Sequence, residues 1–230
     1  MNPTYKTTGI VGTGAMGRGI AQIAAQAGST VLLHDTQAGA ALAAQAAVFL
    51  QWDKMAEKGR LDAAGLSACK ARLVCAGKLE ELAGCDLVVE AIVERLDIKQ
   101  TLFAQLEAIV RPDAVLASNT SSLSVTALAA RLKRPQRVAG FHFFNPVPLM
   151  KVVEVIAGLK TEARVVTRLS GPIPWKPAIT ATWPCSMRFR ISGASISAMR
   201  AEPWTPSVRI GICQPAHERA GMPMSCNTMA

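Results

Sequence analysis

Residues 7–28 read TTGIVGTGAMGRGIAQIAAQAG. A short apolar run leads into a glycine turn, after which Ile20, Ile23, Ala24 and Ala27 recur on one helical face, so strand, turn and helix follow in immediate succession. Gly12, Gly14 and Gly17 keep G-x-G-x-x-G spacing. The first permits the tight turn, the second lets the backbone approach a pyrophosphate, and the third lets helix pack on strand. Ala15, Met16 and Gly17 then open the helix, where free N–H groups face an anion.

A second strand is expected over 30–35, ending in Asp35, 18 residues beyond Gly17. A carboxylate there can accept hydrogen bonds from the adenosine ribose hydroxyls and would repel a 2′-phosphate, which favours NAD over NADP. Downstream, helical stretches are read over 38–58 and 62–70 and a short strand over 72–75. A buried strand, DLVVEA, covers 86–91. Leu96, Leu102, Phe103, Leu106 and Val110 share a helical face, 115–117 is the next strand, and Ser124 can cap a helix running through Leu132. Alternation of strand and helix predicts an α/β class, a Rossmann-type doubly wound and mostly parallel sheet. Ligands of such sheets bind beyond the carboxyl ends of the strands, where Asp35, the segment after Glu90, and Ser118, Asn119, Thr120 and Ser121 all fall.

At 230 residues the chain has room for one such domain and a small appendage. Half of it is apolar and 18% charged, which excludes wholesale disorder. There is no apolar run of about 18 residues, and residues 1–8 show no charged-then-apolar leader, so the expectation is a cytoplasmic protein without a membrane partner. The six cysteines (Cys69, Cys75, Cys85, Cys185, Cys213, Cys226) form no CxxC pair and read as free thiols. Although the net charge is +9, residues 1–170 carry 19 basic and 14 acidic groups, with no basic stripe beyond Arg131, Lys133, Arg134 and Arg137. A nucleic-acid partner is therefore not expected.

Composition changes near residue 171. Leucine occurs 20 times in 1–170 and never in 171–230, and aspartate falls from six to none. Those last 60 residues also hold eight of the 13 prolines and three of the four tryptophans. Pro172, Pro174, Pro177 and Pro184 interrupt any amphipathic helix or alternating strand of useful length. The expected organisation is a domain over 1–170 and a Pro-rich tail over 171–230 that does not fold independently. Either a shifted reading frame or a genuine Pro-rich extension accounts for it.

The stretch 137–156, RVAGFHFFNPVPLMKVVEVI, places His142 at the end of one strand-like run and Glu154 within another. An imidazole can move a proton at neutral pH, and a carboxylate on its other nitrogen would fix the tautomer. Taken in order, GTGAMG, EAIVERLDIKQTLF, ASNTSSLSVT and HFFNPVPLMKVVEVI resemble the 3-hydroxyacyl-CoA dehydrogenase family, especially bacterial 3-hydroxybutyryl-CoA and phenylacetate-pathway members, over residues 6–171. The 3-hydroxyisobutyrate and 6-phosphogluconate dehydrogenases share the glycine turn with Met16 but lack HFFNP.

The resemblance implies oxidation of a 3-hydroxyacyl-CoA to the 3-oxoacyl-CoA, with NAD as cofactor and an acyl-CoA as substrate. By motif position His142 is the general base, Glu154 orients it, and Ser121 binds the substrate's oxygen. Glu94, Lys99, Asn119 and Asn145 fall on the NAD site, and Lys58 near the coenzyme A phosphates. In the family a helical domain follows, opened by an Asp-Thr-Pro-Gly-Phe segment whose nearby Asn completes the site, and that domain makes the homodimer. Here no Asn occurs between Asn145 and Asn227, and the likeness stops at Leu169-Ser170-Gly171. A lost dimer interface and impaired turnover are the corresponding expectations, the alternative to a working dehydrogenase being an NAD-binding module with little activity.

Overall fold

In the computed structural model, residues 5–150 and 152–170 are described; the tail, Cys185, Cys213 and Cys226 lie outside them. Six strands run parallel because helical chain joins each of them to the next and returns across the sheet. They are β1 (Thr7–Val11), β2 (Thr30–His34), β3 (Leu73–Cys75), β4 (Leu87–Glu90), β5 (Val115–Ser118) and β6 (Val138–Phe143). A seventh, β7 (Val153–Ala157), turns back antiparallel to β6, giving the order β3-β2-β1-β4-β5-β6-β7. The expected doubly wound sheet is thus present. Its order reverses between β1 and β4, and a crevice opens at that switch.

One face carries α1 (Ala15–Gln26), α2 (Ala40–Glu57), α3 (Ala63–Arg72) and α6 (Ala163–Ser170), which bury Ile20, Trp52, Phe141 and Leu169. The other carries α4 (Leu96–Ile109) and α5 (Val125–Ala129), over Phe103, Leu106, Leu116 and Val138. Strands β4 and β5 are buried at every position, as an apolar run covered on both sides should be. The start of β1 is held by Asp86, whose carboxylate accepts from the Lys6 and Thr7 N–H groups at 2.9 and 3.0 Å and pairs with Arg111 at 2.5 Å.

Helix α1 is buried nearly all round rather than on the one face, and Ala27 is its C-cap rather than a member of it. The helix expected through Leu132 ends at Ala129. Ser124 does cap it, accepting from the Ala127 N–H, but the Glu107 carboxylate on α4 takes the Lys133 and Arg134 N–H groups at 2.8 Å each and draws the chain off the helical path. Helix α4 buries Leu102, Phe103 and Leu106 as read from their spacing, and Lys99 with them at 1% exposure. Among the described residues the three cysteines are free, no helix is long and apolar enough to cross a membrane, and no group of three or more His, Cys, Asp or Glu could hold a metal ion.

Candidate active site

The glycine turn has little freedom to be anything else. Gly12 sits at φ +91°, and a Cβ there would lie 2.6 Å from the Ala91 carbonyl oxygen; one on Gly17 would lie 1.8 Å from the Gly12 oxygen. Gly14 differs, since its Cβ position meets nothing within 4 Å. It faces open space at the start of α1, where no side chain caps the helix and no acidic residue stands in the first turn. The exposed N–H groups and the positive end of the helix dipole are left for an anion. The chain's own residues therefore fit a dinucleotide pyrophosphate.

Beside the turn lies a cleft of about 560 Å³ lined by Gly12, Thr13, Gly14, Asp35, Ile92 and Leu102 among others. Asp35, just past β2, does more than await a ribose. Its Oδ2 accepts from the Thr13 N–H and hydroxyl at 2.8 Å each, and Oδ1 accepts from the Gln37 N–H at 3.0 Å. Burial would raise its pKa, but these hydrogen bonds and the nearby His34 hold the carboxyl below its usual range, so it is ionised at neutral pH. Of its roughly four acceptor sites one, on Oδ1, is left for a ligand hydroxyl.

A second cleft, about 360 Å³, shares Ala91 and Ile92 with the first. Met16, Glu94, Lys99, Asn119, Ser121, His142 and Asn145 all line it, so seven residues singled out from sequence meet in one place. His142 and Glu154 are direct cross-strand partners on β6 and β7, and His142 Nδ1 lies 2.8 Å from Glu154 Oε2. With the carboxylate ionised, Nδ1–H is the donor, and the lone pair belongs to Nε2. Glu154 itself stands behind the imidazole, outside the lining. Asn119 ties β5 to β6 by accepting from the Phe143 N–H at 2.9 Å. Ser121 gives its N–H to Glu94 Oε1 at 3.2 Å. Lys58, the C-cap of α2, is exposed and lines neither cleft; Ala15 and Gly17 support the turn without lining a cleft.

Sequence reasoning placed Ser118 and Thr120 at the ligand end of the sheet and Glu90 at the end of its strand, but gave none of the three a role. Glu90 is fully buried at the end of β4 and pairs with Lys99 at 2.5 Å, while Ser118 donates to its other oxygen at 2.6 Å. Thr120 donates through its hydroxyl to Glu94 Oε1. Burial raises the Glu94 pKa, but Thr120, Lys99 and Ser122 outweigh it and keep the carboxyl below its usual range. The signal for Glu90 was available: a carboxylate closing the buried run DLVVE needs a partner, and Lys99 lies one strand-to-helix turn away. Gly19 was also unread; a Cβ there would come within 2.7 Å of Val147 Cβ, so α1 packs closely on the loop that carries Asn145.

Residues 7–171 match the model of the 3-hydroxyacyl-CoA dehydrogenase NAD binding domain. Among curated relatives, the 3-hydroxyadipyl-CoA dehydrogenase of Escherichia coli K12 is 45% identical over 164 residues, which is 71% of this chain and 34% of that protein. The 3-hydroxybutyryl-CoA dehydrogenase of Bradyrhizobium diazoefficiens is 41% identical over 162 residues, 70% of this chain and 55% of that one. The crystal structure of 3-hydroxybutyryl-CoA dehydrogenase from E. coli K12 superposes with a TM-score of 0.75 at 42% identity, covering 79% of this chain and 39% of the other. That of (S)-3-hydroxybutyryl-CoA dehydrogenase from Ralstonia eutropha gives 0.71 at 37%, covering 77% and 64%. The chain thus spans between a third and just over a half of the two curated relatives' lengths.

Proposed function

The chain belongs to the 3-hydroxyacyl-CoA dehydrogenase family and carries its NAD binding domain, and from that premise we propose that it serves NAD-dependent oxidation of a 3-hydroxyacyl-CoA to the 3-oxoacyl-CoA, in fatty acid or phenylacetate-type catabolism, with turnover impaired in this 230-residue form. The observation that carries the reading is the His142–Glu154 pair at 2.8 Å, with His142 in one cleft beside Asn119, Ser121 and Asn145.

When bound, NAD supplies the acceptor for the hydride that leaves the substrate's C3. Nε2 of His142 takes the proton of the C3 hydroxyl, so that proton and hydride leave in one oxidation and the C3–O bond becomes a carbonyl. Glu154 keeps Nδ1 protonated and holds the charge of the imidazolium. Ser121 would hydrogen-bond the substrate's oxygen and Asn145 would stand beside the nicotinamide, roles supported by their sharing one cleft with His142. Lys58 would take the coenzyme A phosphates, a role that rests on motif position alone.

Impairment is supported by two coincident limits: the family match ends at residue 171, and no leucine follows Leu169 in the sequence. Good positioning of a substrate can supply about 7–11 kcal/mol of a barrier, and a Pro-rich segment offers little to hold an acyl thioester or to build a homodimer interface. The test is loss of NADH absorbance with acetoacetyl-CoA, at equal NADH-binding concentration, against the Bradyrhizobium relative. The expected rate is at least about a hundredfold lower, since each 1.36 kcal/mol is about tenfold. Comparable rates would overturn the impairment, and no turnover in either direction would favour the alternative, an NAD-binding module.

A further inference from the structure

The ammonium of Lys99 donates to Glu90 Oε1 at 2.5 Å and to the Ile92 carbonyl oxygen at 3.4 Å, and forms an ion pair with Glu94 Oε2 at 3.2 Å. Although Lys99 lines the second cleft, these partners engage its charge within the protein. Glu90, fully buried, is engaged there too: Oε1 also accepts from the Ile92 N–H at 2.7 Å, Oε2 accepts from the Ser118 hydroxyl, and its backbone oxygen accepts from the Asn119 N–H at 2.8 Å. Ser118 Oγ in turn accepts from the Thr120 N–H at 3.2 Å.

We propose that Glu90 is a positioning residue for the nicotinamide half of the NAD site, acting through Lys99 and Ser118 to fix the two segments that follow β4 and β5. A buried ion pair is a poor stabiliser, because desolvation of both charges offsets most of their attraction, and an apolar pair of similar size would pack as well. What this pair adds is geometry. One carboxylate ties the backbone after β4 at Ile92, the side chain of α4 at Lys99 and the end of β5 at Ser118. Lys99 passes that constraint to Glu94, whose Oε1 gathers Thr120, Ser121 and Ser122. Two cleft residues, Glu94 and Ser121, are thereby placed by a group that does not line the cleft, and a third, Asn119, follows directly on the anchored Ser118. No hydrogen bond of this network reaches Asp35, which Thr13 and Gln37 hold instead, and the glycine turn meets it only by packing against Ala91 and Ile92.

This separation gives the test. The proposal rests on the NAD site reading, and ADP-ribose carries the adenosine and pyrophosphate but lacks the nicotinamide ring. In the full 230-residue chain, Glu90→Gln is expected to weaken NADH by about tenfold, the size of one lost charge-assisted hydrogen bond, while ADP-ribose changes by less than about twofold. Ser118→Ala removes one of those bonds without unpairing Lys99, and should show the same split at about threefold. Equal losses for both ligands, or unchanged NADH binding in the folded variants, would overturn the positioning role. If Glu90→Gln does not fold, Ser118→Ala decides the matter alone. Failure of the unaltered chain to bind NADH or ADP-ribose would instead defeat the NAD site reading, and this proposal with it.

Discussion

Asp35→Asn separates the two tasks assigned to that carboxyl. The amide keeps the shape, and its oxygen can still accept from the Thr13 N–H and hydroxyl, so the glycine turn should survive. The charge is lost. A 2′-phosphate dianion at about 5 Å from Asp35 is repelled by about 1.7 kcal/mol even at the dielectric of water, and by more where protein excludes solvent. The unaltered chain should therefore prefer NADH to NADPH by tenfold or more, roughly 1.4 kcal/mol. In the variant NADH should weaken, through loss of the charged acceptor for the ribose hydroxyl, while NADPH tightens and the preference falls to about threefold or less. Competitive titration of both cofactors by fluorescence reads this directly. Equal affinities in the unaltered chain, or a preference unchanged by the substitution, would refute the assignment of Asp35.

In whichever form of the protein turns over acetoacetyl-CoA, His142→Gln should lower kcat by about 10²–10⁴ with NADH affinity unchanged; loss of both would make His142 structural. Glu154→Gln should act in the same direction but less, since it removes the support of the imidazolium and leaves Nε2 in place. Asp86→Asn addresses stability. Burial opposes ionisation of Asp86, yet the Thr7 N–H, Arg111 and the Lys6 N–H hold its pKa below the usual carboxylate range. A depressed folded pKa contributes stability above the unfolded value and loses it as pH falls through the folded one. The variant should thus melt about 2–4 °C lower at neutral pH, the shift for about 1 kcal/mol in a chain of this size with the Arg111 contribution screened. The difference should shrink as the pH falls below the usual carboxylate range, and a difference independent of pH there would mean that the charge of Asp86 is not what matters.

The sheet was legible because its signals are local. The run GIVGTG demands a strand and a left-handed glycine, and the apolar stretch DLVVE demands cover on both faces. The His142–Glu154 pair could be suspected from spacing, but its reality depends on register: a shift of one residue in β7 would turn Glu154 to the other face of the sheet. What escaped was non-local. That Lys99 would be buried beside Glu90 follows from α4 lying across β4, and that Asp35 would hold Thr13 follows from the close approach of β2 to the turn. The end of α5 was misplaced for the same reason, because the Glu107 that stops it belongs to another helix.

Calorimetric titration of the 230-residue chain with NADH tests the central claim most directly. A saturable exothermic or endothermic isotherm for a single site, displaced by ADP-ribose and weaker for NADPH, is the predicted result. Absence of saturable binding by a folded chain would contradict the reading of residues 7–171 as a working cofactor domain, and with it the roles given to Asp35, Glu90 and His142.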